Sequence, residues 1–195
     1  MLTKFYWQVQ ALLLQLKRPG LLRRLEPLFD SHFYLTKHPD IATLGNPLVH
    51  YVVAGAIEAR NPNALFDTRY YSEQNPEAAG RGMNPLEHFV LRGAREGRWP
   101  NPLFDPAYYL ERNPDIAAAG INPLQHYLTS GAREGRKPHP LFDTAYYLKQ
   151  NPDVAAAGVN PLAHFLAQGA AEGRKPNALF DTRYYLAQMA ATDAR

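Results

Sequence analysis

Residues 103–140, LFDPAYYLERNPDIAAAGINPLQHYLTSGAREGRKPHP, decide the fold, because the chain says nearly the same thing again on either side. Residues 65–102 read LFDTRYYSEQNPEAAGRGMNPLEHFVLRGAREGRWPNP, and residues 141–178 read LFDTAYYLKQNPDVAAAGVNPLAHFLAQGAAEGRKPNA. Leu-Phe-Asp recurs at Leu28, Leu65, Leu103, Leu141 and Leu179, in steps of 37, 38, 38 and 38 residues. A fixed period of this size marks a repeat architecture, with one supersecondary unit per period.

Each unit carries its own punctuation. Asp105 suits an N-cap and Pro106 the first helical position, where a missing N–H costs nothing. Phe104 and Tyr109 are spaced for a hydrophobic staple across that cap. Pro114 disfavours helix at Asn113, so Asn113-Pro114 reads as the start of a second short helix ending at Gly120. Asn122-Pro123 starts a third, in which Leu124, Tyr127, Leu128 and Gly131 share one face. Gly135 offers a left-handed exit, and Lys137-Pro138 breaks the chain before the next Leu-Phe-Asp. No segment alternates as a strand does.

The expectation is an all-α, solenoid-like array of four ~38-residue repeats of three short helices, with a partial fifth and an N-terminal amphipathic helix. Its divisions are a basic leader or cap at 1–27, repeats at 28–64, 65–102, 103–140 and 141–178, and a partial repeat or C-terminal cap at 179–195. Helices this short are marginal alone. Neighbouring units are therefore expected to cover one another's aromatic rings.

Composition narrows the chemistry. The chain has no cysteine, so disulfides and thiolate metal sites are excluded. No apolar run approaches the ~18 residues of a membrane-spanning helix. Net charge is +3, but Lys4, Lys17, Arg18, Arg23 and Arg24 stand against Glu26 alone in the leader. The repeats are near neutral, which argues against nucleic acid as a partner. No two of the eighteen acidic residues lie closer than four positions, so no Asp-x-Asp metal pair is present. P-loop, Rossmann, HExxH and GxSxG signatures are missing as well. This reading assigns no catalytic residue, no cofactor and no metal, and expects no enzyme.

Three recurring positions are candidates for a ligand or partner surface: Tyr70, Tyr108 and Tyr146; His88, His126 and His164; Arg98, Arg136 and Arg174. A histidine per repeat suggests a metal array, but equivalent atoms of stacked helices lie ~10 Å apart while zinc takes ligands at ~2 Å. An imidazole bonded to a turn or a tyrosine hydroxyl is the structural alternative. Each tyrosine pair offers either an aromatic ladder for sugars or one ring in the core and one bridging outward. The Glu-x-Arg that closes each unit is expected to bond between repeats, to a carbonyl or to Asp67, Asp105, Asp143 or Asp181.

In the leader, Leu2, Phe5, Val9, Leu12, Leu13 and Leu16 recur at helical steps, and Gln8, Gln10 and Gln15 interrupt any signal-peptide core. Two readings stay open: a cap on the first repeat, or a basic helix lying on an anionic membrane through Phe5, Trp7, Lys4, Lys17 and Arg18.

The unit resembles a recurring bacterial segment of the form FDxxYYLxxNPDVAxxGxNPLxHYLxxGxxEGRxP, found in accessory regions of glycosyltransferases and rhamnan-synthesis-type polysaccharide proteins. The match runs from Leu28 to Tyr185, and the leader FYWQVQALLLQLKRPGLLRRL is similar to starts seen before such repeats. The chain departs from the pattern at Ala59, where later copies have Gly, and at Gln188-Met189, where Asn-Pro is expected. The fifth copy is thus either an end cap or a cut from something longer. The resemblance implies a non-catalytic interaction scaffold in bacterial surface-polysaccharide synthesis or export. Its alternatives are a carbohydrate-binding module using Tyr, His and Arg, or the accessory piece of a transferase. Protein partners, possible carbohydrate, and a cytoplasmic place with peripheral contact at the inner membrane follow from it.

Overall fold

The structure, a computed structural model, describes residues 2–80 and 82–193, with only the backbone of residues 2–4, 79 and 190–193. All regular elements among them are helices. They form two compact units, residues 1–102 and 103–195. The first holds the leader and repeats 1 and 2. The second holds repeats 3 and 4 and the opening of the fifth.

Repeat 3 shows how the sequence builds its module. Asp105 caps the first helix, Pro106–Arg112, its carboxylate accepting from the N–H groups of Ala107 (2.9 Å) and Tyr108 (3.0 Å). Phe104 and Tyr109 close the staple, ring centroids 5.6 Å apart. The second helix, Pro114–Ala119, ends on Gly120 at φ 65°. Asn122 caps the third, accepting from Leu124 N–H at 3.0 Å. Gly135 leaves it at φ 74°, a left-handed turn that only glycine adopts without cost.

Two local features differ from the sequence expectation. Asn113 does not cap the second helix. Its Nδ2 donates back to the Tyr109 carbonyl (2.6 Å) and its Oδ1 accepts from Arg136 (2.8 Å), tying the end of the first helix to the end of the repeat. The third helix also changes pitch: an α-turn at Pro123–His126 continues as a π-turn at Tyr127–Gly131. The Ala132 N–H reaches the Tyr127 carbonyl five residues back, at 3.1 Å. The same α-to-π change occurs at Tyr51–Gly55, Phe89–Gly93 and Phe165–Gly169.

The core of each repeat is a trio of rings. Phe104, Tyr109 and Tyr127 are fully buried, with centroids 5.6–5.9 Å apart. Phe66, Tyr71 and Phe89 repeat the trio in the first unit. Burial and edge-on ring packing together supply the main cohesion of a module with so little regular structure.

The rings of the trio all come from one repeat. This is achieved by closing each repeat head to tail. The Asp105 N–H donates to the Pro138 carbonyl (3.0 Å), as Asp30 does to Pro62, Asp67 to Pro100 and Asp143 to Pro176. Asn63, Asn101 and Asn177 reinforce the closure by donating to the carbonyls of Leu28, Leu65 and Leu141 at 2.7–2.8 Å.

Within each unit, a threonine then joins successive repeats. Thr144 Oγ1 donates to the Arg136 carbonyl (2.7 Å) and lies 2.9 Å from the Tyr127 hydroxyl. Thr68 does the same with Arg60 and Tyr51.

The leader forms α1 (Leu2–Lys17) and α2 (Leu21–Leu25), separated by a turn at Gly20 with φ 77°. α1 rests on the third helix of repeat 1, and α2 on that of repeat 2. Leu21 and Leu25 are buried there.

Candidate functional site

The histidines are interior groups. His50, His88, His126 and His164 sit on the last α-turn before each π-turn and are buried. Each Nδ1 meets the hydroxyl of the second tyrosine of its repeat: Tyr34 (3.0 Å), Tyr71 (2.8 Å), Tyr109 (2.7 Å) and Tyr147 (2.7 Å). Burial pushes the His50 imidazole below its ordinary range, favouring the neutral ring. Burial also pushes the Tyr147 hydroxyl up to about 12.

The glycine that ends each π-turn completes this lock. A methyl group on Gly55, Gly93, Gly131 or Gly169 would fall inside the van der Waals surface of the tyrosine hydroxyl of that repeat. The tyrosine, histidine and glycine therefore specify one another: the hydroxyl occupies space that a Cβ would take, and the imidazole receives it. A buried hydroxyl without a partner would be costly.

The first tyrosines lie differently. Tyr70, Tyr108 and Tyr146 are half-buried on their helices. The Arg112 guanidinium stands 5.5 Å over the Tyr108 ring. These three tyrosines are partly exposed, whereas the histidines and the second tyrosines of repeats 1 to 4 are turned inward.

The arginines act within their own repeats, not between repeats as expected from sequence. Arg60 forks onto Asp40 (2.9 and 3.1 Å) and Arg136 onto Asp115 (2.8 and 2.9 Å). Arg174 pairs with Asp153 at 2.8 Å, and Arg98 with Glu77 at 3.2 Å. Glu58, Glu96, Glu134 and Glu172 hold the Nε side of the same groups. The forks hold the Asp40, Asp115 and Asp153 carboxyls below their usual range. Asp143 and Asp181 face Lys137 (2.6 Å) and Lys175 (2.8 Å) instead. The physical reason is the Pro-Asp or Pro-Glu turn after the first helix, which places its acid opposite the repeat's own exit.

In the leader, Trp7 turns inward, its ring 4.9 Å from that of His50. Arg18 forms an ion pair with buried Glu87. Phe5 and Lys17 face outward, and the side chain of Lys4 lies outside the described residues.

Sequence reasoning missed two positions. Asn75, Asn113 and Asn151 look like helix caps but donate to the carbonyls of Tyr71, Tyr109 and Tyr147. The closing asparagines Asn63, Asn101 and Asn177 were hidden in the linkers, although their return at every period except His139 was a usable signal. Among the described residues no group of three His, Cys, Asp or Glu side chains is placed to hold a metal ion. No helix among them is long and apolar enough to cross a membrane.

No protein-family model, curated protein or solved structure matches the chain.

Proposed function

We propose that the chain is a non-catalytic interaction scaffold serving bacterial surface-polysaccharide synthesis or export, in the cytoplasm beside the inner membrane. The observation that carries the scaffold reading is the internal use of the recurring chemistry. Histidine, second tyrosine and arginine bond within their own repeat, four times over, and the glycine makes room for the tyrosine hydroxyl. Residues held this way build a rigid surface, and recognition falls to the side chains that vary between copies. The polysaccharide context comes from the resemblance of the repeat unit.

Affinity capture with the whole chain from a polysaccharide-producing bacterium tests the proposal. Recovery of glycan-assembly proteins is the expected result. Recovery of unrelated partners alone overturns the context.

Tyr108 favours a second reading, as a carbohydrate-binding surface, because its half-exposed ring beneath Arg112 has the form that stacks on a sugar. A glycan array with the wild type and Tyr108→Ala decides it. Binding that the substitution removes supports the reading. Binding that survives it, or none, ends it.

A further inference from the structure

The leader helix α1 is apolar on two opposite faces. Trp7, Ala11, Leu14 and Arg18 fall on one side of a 3.6-residue wheel and are half-buried toward the repeats. Phe5, Leu12 and Leu16 fall on the other, with half-buried Val9 beside them. Phe5 is 65%, Leu12 60% and Leu16 70% exposed, with Tyr6 and Leu13 widening the stripe. The inner face is anchored by the Trp7–His50 contact and the Arg18–Glu87 pair. The outer face is thus presented by a docked helix, about 16 Å along its axis from Phe5 to Leu16.

The charge of the leader is mostly basic. Lys17 is exposed at its C-terminal end. In α2, Leu21 and Leu25 are buried, and Arg23 and Arg24 point to solvent. α1 rests on the third helix of repeat 1 and α2 on that of repeat 2, and the two helices touch each other. Glu26 is the leader's single acid. A second copy seated on the stripe would bring these cations together. The flanking Gln8 and Gln15 supply no charge to select a protein helix.

We infer that this face lies on an anionic lipid surface, with Phe5, Leu12 and Leu16 entering the headgroup boundary and Lys17, Arg23 and Arg24 against lipid phosphates. An apolar stripe beside clustered cations is the chemistry such surfaces select. Trp7 and Arg18 stay with the protein. The contact is independent of the polysaccharide context, and its test uses lipid alone.

The whole chain is floated with phosphatidylglycerol-containing vesicles and with pure phosphatidylcholine vesicles. Binding to the anionic vesicles only, weakened by added salt, is expected. Leu12→Glu should reduce it at least about tenfold, and Arg23→Glu should reduce it less, with helical circular dichroism unchanged in both. Three results overturn the inference: no flotation of the wild type, flotation indifferent to Leu12→Glu, or a dimer in sedimentation that Leu12→Glu dissociates while vesicles go unbound. The last assigns the stripe to a second copy.

Discussion

Tyr147 and Tyr185 occupy the same place in nearly the same phrase, LFDTAYYL and LFDTRYYL, and meet opposite surroundings. Both helices start from an aspartate cap whose carboxylate accepts from a tyrosine N–H at 3.0 Å. Yet Tyr147 is wholly buried and Tyr185 is 50% exposed, and Phe142 is buried where Phe180 is 39% exposed. The difference is the third helix. Repeat 4 has Asn160-Pro161 to begin one, with His164 and Gly169 to receive the hydroxyl. The fifth copy continues instead as one helix, Thr182–Asp193. Local sequence thus sets the helix and its cap, and the partner helix sets whether the tyrosine is core.

The widest gap is expected on truncating the two rings. Tyr147→Ala should cost about 4 kcal/mol, and Tyr185→Ala less than about 1 kcal/mol, in urea unfolding. Comparable losses would mean that the fifth copy is as well packed as the four before it. A gentler cut isolates the hydroxyl. Tyr147→Phe leaves His164 Nδ1 without its partner and should cost about 1–2 kcal/mol, while Tyr185→Phe should be neutral.

Repeat 1 extends the comparison to the exit turn. Ala59 is held at φ 55° where Gly97, Gly135 and Gly173 take 71–74°. Ala59→Gly relieves that strain and should stabilise by about 1 kcal/mol. A loss instead would show that Ala59 makes a contact worth more than its backbone costs.

The smallest effect is set by pH. Burial holds His50, His38 and His139 below the ordinary histidine range. The unfolded chain binds their protons below about 6.5, and the folded chain resists doing so. Their stability is therefore present above that pH and lost as pH falls through the folded values. Urea midpoints that do not fall from about pH 7.5 to 5 would contradict this.

The sequence carried the period, the helix starts at Asp105 and Asn122, the staple and the left-handed glycines, because each rests on local backbone chemistry. It did not carry the head-to-tail closure, since a bond from Asp105 to Pro138 depends on where the chain has travelled in between. For the same reason it put the arginine pairs between repeats. The π-turn was invisible, because Tyr127 to Gly131 has the residues of an ordinary helical face. The leader's inward face was legible only once Glu87, far along the chain, had a position. Of the candidate surface, periodicity identified the residues but could not tell His126, inside, from Tyr108, near solvent.

The central claim is that each repeat keeps a glycine so that a histidine-bound tyrosine hydroxyl can enter the third helix. A double-mutant cycle on Gly169 and Tyr147 tests it most directly. Gly169→Ala should cost about 3 kcal/mol in the wild type, through overpacking. In Tyr147→Phe it should cost less than about 1 kcal/mol, because the atom in the way is gone. Equal costs in both backgrounds would contradict the claim.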